Sequence, residues 1–192
     1  MPKGYTSRQE VENYLLIDID VSFHAQVDSW IEEIEQYIDN ATERNFLADT
    51  EESERVFDGD GTAWLLIDDN VEVTKVKIGD EELTVGNDND YVLYPANKTP
   101  KTKVQLTGRR FTRGFQNITV EAKWGYSVDV PADIRTVATV LVAGIINYSL
   151  NADGEVQSMT IGRYTVTYKD EKQWQDFERI DKTLATYIKE TV

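Results

Sequence analysis

The segment KWGYSVDVPADIRTVATVLVAGIINY, residues 123–148, constrains the fold more than any other stretch of the chain. An aromatic, strand-like run stops at Gly125, Pro131 follows, and a helix then begins that has almost no polar side. Between Val137 and Ile146 only Thr139 and Gly144 are not plainly apolar. Pro131 stands where a first-turn proline is tolerated, and Asp133 complements the positive end of the helix dipole. A helix on the outside of a small monomer shows a polar stripe. This one must lie inside a bundle, as its axle, with Ile134, Val137, Leu141 and Ile145 in the core and room for contact with a neighbouring protomer. Its apolar run of about ten residues falls short of the roughly twenty that cross a bilayer, so no membrane association is expected.

The covering helices can be read on either side. In TSRQEVENYLLI, Ser7 and Glu10 form a capping-box pattern, with Val11, Tyr14 and Leu15 as the apolar stripe of a helix ending near Ile17. After the acidic turn DID, a longer helix starts near Val21 or Ser22. It carries Phe23, Val27, Trp30, Ile31, Ile34, Ile38 and Ala41 at spacings of three and four. Its other face, with Asp28, Glu32, Glu33, Glu35 and Asp39, is expected to be solvated or to face positive charge. A last amphipathic helix presents Trp174, Phe177, Ile180, Asp181, Leu184, Tyr187 and Ile188. A β-hairpin with Gly162 near its turn, and Tyr164, Val166 and Tyr168 alternating, precedes it.

Between the second and third helices the period changes from helical to two. RVFDGDGTAWLLID reads as strand, Asp-Gly turn, strand, a hairpin signal. VEVTKVKIG alternates except at the Lys75–Val76 step. DEELTV, YVLYPA, KVQLTG and QNITVEAKWGYS follow, the last with Ile118, Val120, Ala122 and Trp124 on one side. About seven short strands over residues 55–127 make a small all-β insertion. The expected fold class is α+β: a bundle of about four helices (5–47 and 129–192), a β-rich insertion (54–127) between the second and third, and a β-hairpin before the last.

The chain of 192 residues has a formal charge of −15, and the charge is unevenly placed. Residues 1–60 hold sixteen acids against four bases, whereas residues 98–124 hold seven bases against Glu121 alone. A polar object of this kind can place its acidic face against a basic face on a neighbour. The acidic balance opposes clamping DNA by its phosphates, without opposing DNA that passes close by.

Most candidate chemistry fails on residue types. There is no cysteine, which removes disulfides, thiolate nucleophiles and cysteine zinc sites. His24 is the only histidine, too few for a Ser-His-Asp triad or a multi-histidine metal site, and is expected to be satisfied or solvent-facing. DGDG at Asp58–Gly61 and GNDND at Gly86–Asp90 lack the ligand spacing of a calcium loop and read as hairpin turns. No calcium binding is expected, and a rise of several degrees in Tm on adding calcium would oppose that. No phosphate-binding glycine loop is present. The first ten residues lack the apolar core of a secretory signal. GRRFTRGF, Gly108–Phe115, mixes arginine and aromatics as nucleic-acid binders do, but in so acidic a chain Arg109, Arg110 and Arg113 suit an acidic protein partner better. A carbohydrate- or protein-binding alternative would use Trp64, Tyr91, Tyr94 and Trp124 as a stacking platform, against their filling the insertion's own core. A hydrolase with paired carboxylates would need a cleft that the sequence does not display.

The ordered series YTSRQEVENYL, WIEEIEQYIDNATERNF, RVFDGDG, DYVLYPAN, KVQLTG and WGYSVDVPADIRTVATVLVA resembles the head–tail connector proteins of long-tailed double-stranded-DNA bacteriophages. These are also termed adaptor or head-completion proteins, and relatives occur in gene transfer agents. The resemblance covers most of the chain, and its most specific piece is WGYS…VPADIR, Trp124–Arg135. It implies a structural virion protein of the neck, assembled in the host cytoplasm, with neither catalytic residues nor a cofactor. It implies a homo-oligomeric ring of about twelve copies beneath the portal protein, closed by heterologous contacts. Such a ring extends the DNA channel and offers its lower surface to a stopper or tail-completion protein. The resemblance further implies that the carboxy-terminal helix engages the portal, with Trp174, Phe177 and Ile180 as anchors; the uneven charge, read from the residues, suits a head-to-tail ring contact whose basic face includes Arg109, Arg110 and Arg113.

Overall fold

A computed structural model describes residues 2–150, 157–161, 164–168 and 171–189. The fold is α+β, and the chain separates into two compact units, 1–44 with 130–192, and 45–129.

In the first unit, α1 (Arg8–Leu15) starts where the Ser7 hydroxyl oxygen accepts the Glu10 N–H at 3.3 Å. It stops at Leu16, which adopts the left-handed conformation (φ 57°). A short 3-10 turn, Val21–Phe23, then leads into α2 (His24–Thr42). Asp20 nucleates that turn by accepting the Ser22 N–H at 2.9 Å and the Ser22 hydroxyl at 2.6 Å. Because α2 begins after Phe23, that ring falls off the expected apolar face and is exposed, as is Ala41. The face that α2 buries is Val27, Ile31, Ile34, Ile38 and Thr42. Thr42 fits there because its hydroxyl donates to the Ile38 carbonyl at 2.8 Å.

α3 (Ala132–Leu150) packs against α1, α2, α4 (Glu171–Tyr187) and β8 (Tyr164–Tyr168). Ile134, Val137, Leu141 and Ile145 are buried, and so are Ala138, Val142, Ala143 and Ile146 on its other sides. Each large aliphatic side chain so enclosed contributes roughly 1.5–3 kcal/mol. The polar exception, Thr139, shares a 2.7 Å hydrogen bond with the buried Thr6 hydroxyl and also donates to Arg135 O at 2.9 Å. β7 (Gln157–Ile161) pairs antiparallel with β8, while Gly162 lies outside the described residues.

The second unit is a six-stranded antiparallel sheet. Its strands are β1 (Ser53–Gly59), β2 (Trp64–Ile78), β3 (Glu81–Leu83), β4 (Tyr91–Tyr94), β5 (Lys101–Leu106) and β6 (Gly114–Trp124). The order is β1-β6-β2-β5-β4, with β3 beside β2. Two sequence expectations change here. LLID and VEVTKVKI are one fifteen-residue strand, bulged between Leu66 and Asn70, Asn70 and Glu72, and Val73 and Lys75. The last bulge is the cause of the broken alternation near Lys75–Val76. Moreover, β1 and β2 do not form a hairpin across DGDG, because β6 lies between them and pairs with both. Asp58 and Gly59 instead bond to the start of β6: Asp58 Oδ1 accepts the Gln116 N–H at 2.6 Å, and the Gly59 N–H donates to Asn117 Oδ1 at 2.9 Å. A Cβ on Gly59 would lie 2.0 Å from the Thr112 carbonyl oxygen, so only glycine allows that approach.

The sheet curls around Ile67, Val76, Tyr91, Val104, Phe111, Ile118, Val120, Ala122 and Trp124. Trp124 is fully enclosed, its indole N–H donating to Ser53 O at 2.8 Å and its ring covered by the Arg55 guanidinium at 4.4 Å. The strand then turns at Gly125 (φ +136°), where a Cβ would meet the Ala48 Cα at 2.4 Å. Backbone hydrogen bonds from Ala48 N to Ser127 O (2.9 Å) and Tyr126 N to Asn45 O (2.8 Å) fasten the incoming and outgoing chain together.

Candidate functional site

The stretch 98–124 holds seven basic side chains. Much of its charge is already committed within the β unit. Arg109 pairs with Glu81 at 2.9 Å and with Asp90 at 3.5 Å. Lys123 pairs with Glu72 at 2.9 Å, and the contact raises its pKa, through the hydrogen bond first and the charge second. Lys101 Nζ donates to the carbonyls of Pro95 and Ala96, at 2.6 and 3.0 Å. Arg113 Nε donates to the Asp60 carbonyl at 3.0 Å. Arg110 is exposed and has no ion pair among the described residues. Of the three arginines expected on a basic face, Arg109 is therefore matched internally, and Arg110 carries the most available charge. Phe115, beside them, is almost wholly exposed.

The four aromatics of the stacking platform divide. Tyr91 and Trp124 are in the core. Burial, and behind it the charge of Glu82, raises the pKa of the Tyr91 phenol. Trp64 (39% exposed) and Tyr94 (41%) lie on the outer face. The register explains the division: Trp64, Gln105 and Val92 are cross-strand neighbours, as are Leu66, Lys103 and Tyr94, and neighbours share a face. Leu65, Val104 and Leu93 between them point inward. The outer face of β2, β5 and β4 thus shows Trp64, Leu66 (42% exposed) and Tyr94, with Lys103 Nζ 4.7 Å above the Tyr94 ring.

In the helical unit, the acidic side of α2 is not uniformly solvated. Glu35 is buried, and its Oε1 accepts the N–H groups of Gly4 and Tyr5 at 2.8 Å each, while Oε2 accepts that of Lys3. Asp39 binds the Lys3 ammonium and accepts the Tyr5 hydroxyl at 2.5 Å. These two carboxylates anchor the first residues across the bundle rather than display charge. The connection from α1 to α2 does the opposite. Leu16 (89% exposed), Val21 (77%) and Phe23 stand out of it, flanked by Glu12, Asp18 and Asp20. Its backbone is held: Glu12 Oε1 accepts the Ile19 N–H at 2.9 Å, and His24 Nε2 is 3.1 Å from Ile19 O. His24 is thus a satisfied structural histidine. Sequence reading passed over this loop as an acidic turn, although its apolar–acidic alternation from Leu16 to Val21 was the available signal.

On α4, Ile180 is buried and lines a cleft of about 130 Å³ with Val137, Val140 and Tyr14. In this conformation it serves the unit's own core rather than an outward anchor, since its helix face meets α3. The side chains of Trp174 and Phe177 lie outside the described residues. The end of α4 is tied down by the Tyr187 hydroxyl donating to both Asp133 oxygens (3.0 and 2.9 Å) and by Lys189 N to Thr42 O (3.0 Å).

Among the described residues no group of three or more His, Asp or Glu side chains could hold a metal ion, and no helix is long and apolar enough to cross a membrane. The 58–61 stretch is the end of β1 and the start of the loop after it, where Asp60 accepts the Thr62 N–H (2.8 Å) and hydroxyl (2.7 Å); the hydroxyl first, then the N–H, lower its pKa. The 86–90 stretch is a tight turn closed by Gly86 N to Tyr91 O at 2.7 Å.

No protein-family model matches the sequence. No curated protein matches it either. Among solved structures, a chain in the "neck of native GTA particle computed with C12 symmetry" superposes with a TM-score of 0.54 at 12% identity, over 96% of this chain and 88% of that one. A chain in the "neck of empty GTA particle computed with C6 symmetry" gives a TM-score of 0.49 at 14% identity, over 72% and 73%. This chain therefore has the fold of a chain from the C12 neck, along nearly its whole length.

Proposed function

We propose that this chain is a non-enzymatic structural protein of a virion neck, a head–tail connector of the kind found in tailed phages and gene transfer agents. The observation that carries the reading is the near full-length likeness in fold to a chain of a twelvefold-symmetric neck. In this reading about twelve copies form a ring under the portal, extend the DNA channel, and present the docking surface for a stopper or tail-completion protein. The helical body (5–47 and 129–192) carries the β insertion (54–127), and α3 is the axle on which the other helices are mounted. The portal contact belongs to α4, through Trp174 and Phe177. Arg110 and Arg113 contribute to the contact between protomers. The surplus of carboxylates suits a wall along which DNA slides, since attractive phosphate contacts would hold it back.

The test is to mix the protein with the portal protein encoded near its gene and to image the particles by electron microscopy. A second ring stacked on the portal establishes the role and counts the copies. Bare portals at a high concentration of this protein would defeat the reading.

A further inference from the structure

Two of the exposed apolar surfaces, one in each unit, have opposite rims. The first is the α1–α2 connection, with Leu16, Val21 and Phe23 outward and Glu12, Asp18 and Asp20 around them. The second is the outer face of β2, β5 and β4, with Trp64, Leu66 and Tyr94 outward. Lys103 crosses that face, and Lys98 lies on the turn between β4 and β5 at its Tyr94 end.

The loop is built at a local cost. Leu16 occupies the left-handed position at a helix end, where glycine is the usual solution and a side chain costs roughly 1–2 kcal/mol. A leucine 89% exposed recovers none of that within its own chain. Local rules broken without an internal gain mark functional positions. The loop is also preorganised, since Glu12, Asp20 and His24 fix its backbone, so little order remains to be imposed on binding. On the sheet face, Trp and Tyr carry apolar area on stiff side chains, the composition of a binding hot spot.

We infer that the Leu16–Val21–Phe23 loop of one copy docks on the Trp64–Leu66–Tyr94 face of a second copy, with Asp18 and Asp20 against Lys98 and Lys103. This rests on the ring reading above and gives it a contact. The two surfaces differ, so the contact is heterologous, head to tail, as a closed ring requires. Charge complementarity selects a copy of this chain as occupant: the sheet face has a basic rim, and the acidic loop is apolar at its centre.

The contact can be tested on the full chain by sedimentation velocity. One variant, Lys98→Glu with Lys103→Glu, makes the sheet face acidic. The other, Glu12→Gln with Asp18→Lys and Asp20→Asn, makes the loop basic, and the glutamine and asparagine keep the oxygens that accept the Ile19 and Ser22 N–H groups. Alone, each variant opposes like charge to like and should associate at least about tenfold more weakly than the wild type. Mixed in equal amounts they should associate again, because each then offers the other a complementary surface. Leu16→Gly should weaken association without lowering Tm, since it removes strain as well as contact area. If both charge variants assemble as the wild type does, or the mixture fails to recover, the proposed contact is wrong, while a ring stacked on the portal would still uphold the connector role. A wild-type chain that stays monomeric at every concentration overturns the contact too, and the portal experiment then decides the role separately.

Discussion

Glu35 offers the sharpest test of how the helical unit is held together. Its carboxylate is buried and accepts three backbone N–H groups, from Lys3, Gly4 and Tyr5. A hydrogen bond to a charged acceptor contributes about 1.5–3 kcal/mol. Only the Tyr5 bond is fully buried, so water can replace the acceptor for Lys3 and Gly4 more easily than for Tyr5. Glu35→Ala also removes packed methylenes, at about 0.8 kcal/mol each. Against these losses stands the relief of an enclosed charge, which lowers the total. The expected cost of Glu35→Ala is therefore roughly 2–4 kcal/mol. Glu35→Gln keeps one oxygen for Gly4 and Tyr5 but turns an amide N–H toward Lys3 N, and should cost about 1–2 kcal/mol. Urea unfolding gives both values from the midpoint shift at constant slope. Amide exchange at Gly4 and Tyr5 should accelerate in both variants, because residues 2–6 lose their anchor. A Glu35→Ala cost below about 0.5 kcal/mol, or equal costs for the two substitutions, would refute the anchoring account.

In the β unit, Trp124→Phe should cost about 2–3 kcal/mol, from the lost volume, the Ser53 hydrogen bond and part of the Arg55 stacking, as read by denaturation. Gly125→Ala should abolish soluble folded protein, since its Cβ would overlap Ala48, whereas Gly79→Ala, also at positive φ but with open space around it, should cost only about 1 kcal/mol. Tyr37 and Tyr91 are held above the ordinary phenol value of 10.0, chiefly by burial and secondarily by Asp181 and Glu82. The folded chain thus keeps those protons longer than the unfolded chain does. Their contribution to stability is complete below pH 10.0 and declines as pH rises through the raised folded values, which an ultraviolet phenolate titration beside a thermal melt would trace.

The axle helix was legible because its signal is local: a run with apolar residues on every side admits one placement. The β-rich stretch was legible as strands, because alternation is local too, but its pairing was not. Asp58–Gly61 carries every mark of a hairpin turn, yet β1 pairs with β6, some sixty residues onward, and no local pattern encodes that choice. The same reason hid Glu35, whose partners are backbone groups thirty residues away and leave no side-chain signature. Arg109 looked like part of a basic face because its partners, Glu81 and Asp90, come from separate turns. Phe23 was assigned to a helix stripe by spacing, and Leu16 fell inside a helix expected to end near Ile17; a 3-10 turn and a left-handed cap put both outside the helices.

The chain carries a net charge of −15, and assembly of the proposed ring must work against it. Two electrostatic terms then oppose each other. Repulsion between whole protomers acts over tens of ångströms, while the attraction between the acidic loop and the lysine rim acts across a contact of a few. The screening length falls from about 30 Å at 0.01 M salt to about 10 Å at 0.1 M and about 3 Å at 1 M. The first tenfold rise in salt therefore removes most of the repulsion and little of the contact attraction. The second begins to remove the attraction as well, leaving the apolar surfaces alone. Self-association should pass through a maximum near 0.1 M salt, measured by sedimentation across that range. Association that only weakens as salt rises would mean that attraction dominates at all distances. Association that only strengthens would mean that the lysine rim contributes nothing and that apolar burial alone joins the protomers.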